Sequence, residues 1–250
     1  MRRAVVLLLA GAALAPAPAL ASAAPGADPV RAAGATTPLG TERLSDERRL
    51  TRWAHATARS PVRAHPDADA RPVTRLRART EDGLPEVYVA LRSFVAEDGR
   101  VWVKVRVPMR PNGRRGWVPR ESLGEFRLVT TRLVVNRRTL RATLTDRGRT
   151  VWRSRIGVGA PATPTPRGSF YVRERLRNLG GGGTYGPWAF GTSAYSVLSD
   201  WPGGGVVGIH GTDRPDLIPG RPSHGCVRVP NANIRRLARL MPVGTPVRIL

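Results

Sequence analysis

Hydrophobic residues along this chain recur mainly at every second position, which is the period of β-strands. Residues 101–107 carry valine at alternate positions, the pattern of a half-buried strand. Residues 73–77, 86–91 and 151–158 are further β-prone runs, and the Asn-Gly pair at 112–113 supplies a hairpin turn. The pattern predicts a mainly β fold built from short strands.

The segment after residue 230 follows a helical period instead. Its apolar residues fall on one face of a helix and its arginines on the other; the apolar members are Ile234, Leu237, Ala238 and Met241. Asn231 or Asn233 is of a type that caps a helix N-terminus. The sequence therefore predicts one short amphipathic helix, followed by a closing strand at 243–250.

The first residues have the composition of an export signal. Residues 1–3 are a short basic start, residues 4–15 an apolar run, and Ala-Ser-Ala at 21–23 fits a cleavage site. The apolar run is too short to span a bilayer. We therefore predict a signal peptide at 1–23 and a secreted, extracytoplasmic protein. Residues 24–54, rich in Ala, Pro, Gly and Thr and then charged, are predicted to be a flexible leader.

The chain is strongly basic, with a formal net charge of +23. Removing Arg2 and Arg3 with the predicted signal lowers this charge by two, to +21. Nucleic acid is the usual partner of so basic a protein, but the predicted export argues against it. An anionic cell-wall polymer or membrane surface is the better candidate, bound by an attraction that weakens as salt rises. Association with the cell wall is therefore expected.

Residues 55–124 have the features of a small β-barrel. Pro-Val-Arg at 61–63, the strand around Trp102 and the closing Gly-Trp-Val at 116–118 resemble a bacterial SH3-like domain, a module often found beside cell-wall enzymes. The resemblance implies a binding module. Trp102 and Trp117 either line a groove or fill the core of the barrel, and we favour the core.

Cys226 is the only cysteine in the chain, so it has no internal disulfide partner. A lone thiol in an exported protein, with His210 sixteen residues before it and His224 two before it, is a candidate nucleophile. A metal site is disfavoured, because no carboxylate or second cysteine completes a compact ligand set. Papain-like hydrolases place the cysteine before the histidine, whereas His210 comes first here.

Four motifs between residues 127 and 250 occur in a specific order: Thr-Pro-Arg-Gly-Ser-Phe at 165–170, Tyr-Gly-Pro-Trp-Ala-Phe at 185–190, Ile-His-Gly-Thr at 209–212 and Ser-His-Gly-Cys-Val-Arg at 223–228. This segment resembles the L,D-transpeptidase catalytic domain of the YkuD family. The resemblance implies a β-sandwich with a short helix over 127–250. The twelve-residue spacer before Ser223 is slightly shorter than the usual range, and Arg228 stands where some members have Asn.

The resemblance also assigns roles. Cys226 is the nucleophile, His210 the base, and the main-chain carbonyl of Gly211 fixes the imidazole tautomer. A thiol has a pKa of about 8.5 until perturbed, so transfer of its proton to the imidazole would give a reactive thiolate–imidazolium pair. Main-chain N–H groups at 224–226 are the natural source of an oxyanion hole.

Other residues of the motifs are expected to shape the site or bind substrate. Among 224–226, His224 is expected to shape the site rather than act as base and Gly225 to allow the tight turn, while Ser223 orients the loop. Arg228, if extended, points to the same side as Cys226 and either pairs with a substrate carboxylate or forms a structural ion pair. Tyr185 and Trp188 either form a lid over the donor site or, for Trp188, fill the core.

The implied reaction needs no cofactor or metal. Cys226 would attack the third residue of a peptidoglycan tetrapeptide stem, and an amine of a neighbouring stem would resolve the thioester into a 3→3 cross-link. Carbapenem β-lactams are expected to acylate the thiol. Two alternatives stay open: an L,D-carboxypeptidase, in which water resolves the thioester, and a non-catalytic cell-wall-binding protein.

Overall fold

The computed structural model describes residues 40–178, 180, 182–200 and 202–250. The predicted signal peptide and the first part of the predicted leader lie outside the described residues. Within those ranges the protein is mainly β, as predicted, with two sheets and one α-helix. No helix in the described part of the chain is long and apolar enough to cross a membrane.

The first sheet has eight strands, in the order β4-β3-β7-β6-β5-β2-β8, with β1 paired to β5. Its strands are β1 Gly40–Arg43, β2 Thr51–His55, β3 Pro61–Arg63, β4 Pro72–Arg75, β5 Val87–Val95, β6 Val101–Arg106, β7 Arg115–Pro119 and β8 Arg127–Val129. The core of this sheet is aliphatic, and Trp102 and Trp117 are buried. The SH3-like resemblance of residues 55–124 stays a prediction.

The first sheet corrects the predicted boundaries. Residues 40–54 were expected to be flexible leader, but they contain β1 and most of β2. Trp53 and Ala54 are buried there, and β2 pairs with β5 on one side and β8 on the other. A strand that is hydrogen-bonded along both edges is ordered by its partners, which composition alone does not reveal.

The second sheet has ten strands, in the order β11-β10-β9-β18-β13-β14-β15-β17-β12-β16. They are β9 Thr131–Asn136, β10 Arg141–Asp146, β11 Arg149–Arg155, β12 Gly157–Gly159, β13 Gly168–Arg177, β14 Trp188–Tyr195, β15 Val206–His210, β16 Gly220–Ser223, β17 Val227–Arg228 and β18 Pro246–Ile249. Three short 3-10 turns lie at Arg120–Ser122, Pro202–Gly205 and Pro215–Leu217.

The predicted helix is present as α1, Asn231–Leu240, and its apolar face packs into the core of the second sheet through Ile234, Leu237 and Ala238. The predicted asparagine cap is wrong. Pro230 stands at the N-cap and no side chain caps the helix. Asn233 instead donates a 2.8 Å hydrogen bond to the Ser154 hydroxyl, and the side chain of Asn231 turns towards the site described below.

The two sheets share buried contacts. The guanidinium of Arg173, on β13, forms ion pairs with Glu86 and Glu81 from the loop before β5, and the Arg173 and Glu86 side chains are fully buried. Tyr171 donates a 2.7 Å hydrogen bond to the Val87 carbonyl. Because these groups are removed from water, each depends on its partner in the other sheet.

Candidate active site

The site lies where β15 and β17 run parallel as neighbours. Ile209 pairs with Val227 and His210 pairs with Arg228. Ile209 and Val227 point into the hydrophobic core. Because successive residues of a strand point to opposite faces, His210 and Arg228 lie on the other face of the sheet. Cys226, one residue before Val227, shares that face, so the register alone brings the three side chains together.

Gly208 separates the thiol from the imidazole. Its main-chain N–H donates a 3.3 Å hydrogen bond to Sγ of Cys226. A Cβ placed on Gly208 would lie 3.6 Å from Cδ2 of His210 and 3.8 Å from Sγ of Cys226. The cysteine and the histidine therefore border the same small space, which stays open because position 208 has no side chain.

His210 is held in one orientation. The ring is 3% exposed, and Nδ1 lies 2.6 Å from the carbonyl oxygen of Gly211. Since a carbonyl can only accept, Nδ1 carries the proton and Nε2 is left as the acceptor. The hydrogen bond that the resemblance implied for Gly211 is thus present, and it gives the neutral imidazole the tautomer that a base needs.

Asn231 holds the peptide group that contains this carbonyl. Its Oδ1 accepts a 2.9 Å hydrogen bond from the Thr212 N–H. A Cβ on Gly211 or on Gly186 would overlap the same oxygen, so the three residues fit together without spare room. Sequence reasoning missed this role, because Asn next to a helix start equally suggests a cap.

The loop that carries the cysteine is held from both ends. The Ser223 hydroxyl donates to the Cys226 carbonyl at 2.6 Å and accepts from the Gly225 N–H at 3.2 Å. Gly225 has a φ of +125°, which favours glycine. Because its N–H already bonds to Ser223, the structure does not support Gly225 as an oxyanion donor. His224 is exposed.

A hydroxyl from another loop reaches the same turn. Ser196 Oγ donates a 2.9 Å hydrogen bond to the His224 carbonyl. A Cβ on Gly225 would lie 3.0 Å from Oγ of Ser196. Ser196 directly follows β14 and is buried. It therefore connects the end of β14 to the residue pair just before the cysteine.

Residues of the first sheet hold this second loop. Asn112 forms two hydrogen bonds with the main chain of Tyr195, at 2.7 and 2.9 Å. The Arg110 guanidinium donates bonds of 2.8 to 3.0 Å to three carbonyl oxygens of the loop, which belong to Ser196, Leu198 and Gly204. The sequence offered no signal for this role, since Asn112 there simply predicts a hairpin turn.

The environment sets the protonation states of the pair. Burial lowers the pKa of His210 to about 4, and the charge of Arg228 adds to this, against the Gly211 hydrogen bond and Asp213. Burial raises the pKa of Cys226, although the Gly208 N–H and Arg228 oppose the shift. The substrate-free site therefore favours a neutral thiol and a neutral imidazole.

The structure separates the two aromatic residues that were predicted to bind substrate. Tyr185 is 48% exposed and meets the His210 ring edge-on, with centroids 4.9 Å apart. Ala189 pairs with His210, so its neighbour Trp188 points to the opposite face. Trp188 packs against the core and beneath Arg175, 4.8 Å from the ring centroid. The substrate-binding prediction for Trp188 is therefore not supported.

Arg228 is half-buried beside Cys226 and His210. It takes part in none of the ion pairs formed among the described residues. Its Nε is buried without a hydrogen-bond partner in that part of the chain. A structural ion pair, one of the two roles expected for Arg228, is thus not found.

Residues 40–250, apart from the three positions not described, also contain no group of three or more His, Cys, Asp or Glu side chains that could hold a metal.

A thiol and an oriented imidazole on adjacent strands, beside a cation, form a site suited to acyl transfer. Comparison with known proteins names the class. The L,D-transpeptidase catalytic domain of the YkuD family matches residues 130–249. This segment of the chain therefore belongs to the YkuD family of L,D-transpeptidase catalytic domains. The match begins just after β8, which pairs in the first sheet, and the predicted start of the catalytic domain at residue 127 stays a prediction.

Curated relatives agree with this assignment. YkuD of Bacillus licheniformis, described as a candidate L,D-transpeptidase, is 38% identical over 46% of this chain and 61% of its own length. YkuD of Bacillus subtilis is 38% identical over 38% of this chain and 50% of its own length. A crystal structure of an Enterococcus faecium L,D-transpeptidase mutant is 26% identical over 48% of this chain and 49% of that one, with a TM-score of 0.38. The chain thus spans between half and two thirds of the curated relatives' length.

Proposed function

We propose that this protein is an exported L,D-transpeptidase that forms 3→3 cross-links in peptidoglycan through a thioester on Cys226. The observation that carries the proposal is the arrangement around Gly208, where the only cysteine and an oriented histidine border one open space. Export and wall association rest on residues 1–23 and on the net charge of the chain.

The first step forms the thioester. Nε2 of His210 removes the proton from Sγ of Cys226 as the sulfur attacks the carbonyl of the third residue of a tetrapeptide stem. The main-chain N–H of Cys226 is a candidate donor to the oxyanion that develops on that carbonyl. When the intermediate collapses, the C–N bond breaks and the leaving D-alanine amine takes the proton from Nε2.

The second step transfers the acyl group. An amine of a neighbouring stem attacks the thioester carbonyl and gives a proton to Nε2 of His210. The C–S bond then breaks, and the sulfur recovers the proton as a neutral thiol. The energy of the original amide is conserved in the thioester, so this route requires no nucleotide.

Arg228 and Tyr185 are the proposed substrate contacts. The Arg228 guanidinium lies on the face of the thiol and has a buried Nε without a partner in the described structure. A carboxylate of the stem peptide would accept a charge-assisted hydrogen bond from this Nε. Tyr185 is exposed and already touches His210, so it can cover a bound stem.

The L,D-carboxypeptidase alternative uses the same first step. Water, rather than an amine, would then resolve the thioester, and the difference lies in which acceptor reaches the site. A cell-wall-binding protein without catalytic activity is the second alternative to the proposed transpeptidase. Carbapenems are proposed as inhibitors, because their strained β-lactam carbonyl is an acyl donor that the same thiol can attack.

Mass spectrometry of products from disaccharide-tetrapeptide tests the proposal. We expect a dimer that has lost one alanine and contains a 3→3 bond. Tripeptide without dimer would favour the carboxypeptidase, and no product would favour the wall-binding reading. Cys226→Ser is the matched control, since it keeps the size of the side chain while replacing the only thiol, and it should give no product. Imipenem should add its mass to the wild type but not to this variant.

A further inference from the structure

A cavity lined by arginines lies outside the site around Cys226 and His210. It is a cavity of about 420 Å³ in the second sheet, which we call the arginine pocket, lined by Asn136, Arg137, Arg138, Arg167, Arg221 and Leu250. Its four arginines come from three separate segments: the turn after β9, the turn before β13, and β16. The fold, and not one basic stretch of sequence, therefore gathers these charges.

Hydrogen bonds to main-chain oxygens build the floor of the pocket. Arg137 donates from Nη1 to the Thr165 carbonyl at 2.6 Å and from Nε to the Leu250 oxygen at 3.1 Å. Arg221 in turn donates from Nη2 to the Arg137 carbonyl at 3.1 Å. These bonds hold two guanidinium groups in place before any ligand arrives, while the Arg138 and Arg167 side chains are exposed at the rim.

The positive charge of the pocket is not compensated by a carboxylate side chain. None of the six ion pairs formed in the described part of the chain involves Arg137, Arg138, Arg167 or Arg221. No Asp or Glu lines the cavity. Burial lowers the pKa of Arg137, and the charges of Arg167 and Arg221 lower it further. The guanidinium groups of Arg137, Arg167 and Arg221 thus lie close enough to repel one another, and an anion would relieve this repulsion beyond what the Leu250 oxygen bound by Arg137 supplies.

We propose that the arginine pocket binds a phosphodiester-bearing anionic polymer of the cell wall. Guanidinium groups match phosphate oxygens by paired hydrogen bonds, and several such groups together favour a ligand with repeated phosphates over a single carboxylate. The proposal rests on the proposed export of the protein but not on the proposed reaction.

The arginine pocket lies near Cys226 in the chain, so binding there would also position the thiol. Arg221 precedes Cys226 by five residues, and a chain of that length spans at most about 18 Å. A polymer held in the pocket would therefore keep the thiol close to the wall in which the stem peptides lie. Its phosphates would retain the enzyme without a covalent anchor, and high salt would release it.

Binding of a glycerol-phosphate oligomer, measured by calorimetry, tests the proposal. The variant Arg138→Ala/Arg167→Ala/Arg221→Ala removes the pocket charges. The matched control Arg235→Ala/Arg236→Ala/Arg239→Ala removes the same charge from the exposed face of α1. We expect the pocket variant to bind at least tenfold more weakly than the wild type and the α1 variant to bind within about threefold.

Equal losses in the two variants would overturn the proposal, because only overall charge would then matter. It would also fail if polyglutamate bound as tightly as the phosphate oligomer, or if inorganic phosphate alone bound as tightly, which would exclude a polymer as the ligand. The double variant Arg138→Ala/Arg167→Ala keeps the Arg221 bond to the floor and should show an intermediate loss if the triple variant is unstable. Because turnover is not measured, these outcomes leave the proposed reaction untouched.

Discussion

The main-chain N–H of Gly208 donates a 3.3 Å hydrogen bond to the sulfur of Cys226. The bond crosses from β15 to the residue before β17, so the pairing of the two strands itself positions the thiol. The same glycine leaves open the space between sulfur and imidazole. One residue thus supplies a donor to the thiol and, in the proposed reaction, room for the acyl group that the thiol would attack.

Gly208→Ala should keep the fold but lower turnover by on the order of 100-fold, since small displacements of reacting groups have effects of this size. The new methyl group would meet both side chains at ordinary contact distances, 3.6 and 3.8 Å, so it can be accommodated. It would nevertheless fill the space between the imidazole and the thiol. Steady-state kinetics with a melting curve would check this, with Gly182→Ala, at an exposed loop position, as control. Full activity would show that this space is not used.

The thiol should be neutral at rest, so its reaction with iodoacetamide should proceed only through the fraction that is ionised at each pH. Burial raises the pKa of Cys226 above its ordinary value, and burial lowers the pKa of His210 to about 4. The alkylation rate should therefore climb continuously between pH 5 and pH 9, with no plateau. A flat rate over this range would indicate a preformed thiolate. Cys226→Ser should not be alkylated at cysteine, because Cys226 is the only one.

Stability should depend on pH through His210. Its folded-state pKa, about 4, lies below the unfolded value of 6.5, so the unfolded chain binds more protons between these pH values. The contribution of neutral His210 is fully present above about pH 6.5 and is lost as pH falls towards 4. The free energies of unfolding of the wild type and of His210→Gln, measured with urea, should therefore differ less at pH 5 than at pH 7.5. A constant difference between the two proteins would contradict the shift.

Asn112→Ala should lower turnover, although Asn112 belongs to a hairpin of the first sheet and the candidate site lies in the second. Asn112 holds the main chain of Tyr195, and the next residue, Ser196, holds the His224 carbonyl beside the cysteine. We expect roughly a tenfold loss in kcat, with a stability cost of about 1–2 kcal/mol for the lost hydrogen bonds. Arg114→Ala, an exposed side chain of the same hairpin, is the control.

A double-mutant cycle separates this positioning role from a general loss of stability. If Asn112 acts through Ser196, then adding Asn112→Ala to Ser196→Ala should cost little further kcat. Losses in kcat that simply multiply would show that the two residues act independently. The pH dependence of alkylation should change in both single variants, because the turn that carries Cys226 would be less firmly held.

Glu86→Gln should destabilise the protein strongly, by about 3–5 kcal/mol, because it leaves the buried Arg173 guanidinium without its full charge partner. Urea unfolding would measure this. Replacing both partners by apolar residues, Arg173→Met/Glu86→Leu, should recover much of the loss. Asp216→Asn removes one partner of the exposed pair with Arg214 and should have no measurable effect. Equal effects at the buried and exposed pairs would refute the argument.

The sequence by itself determined the features that are local. Period-two hydrophobicity predicted a mainly β protein, and the helical period at 234–241 predicted α1, because side-chain spacing follows directly from backbone geometry. The motifs around His210 and Cys226 predicted the members of the site, since short segments carry the chemical groups that such chemistry needs. The carbonyl of Gly211 was predicted as well, because it is adjacent in the chain to the histidine that it binds.

Only the tertiary structure decided what depends on pairing between distant residues. Strand register placed Trp188 on the opposite face from His210, and partners from two strands ordered β2 within the predicted leader. Asn112 meets Tyr195 across 83 residues of sequence. The environment likewise set the protonation of Cys226 and His210, because a pKa depends on burial and neighbouring charges that exist only after folding. Such relationships leave no periodic or local signal in a single sequence, since they depend on which strands meet.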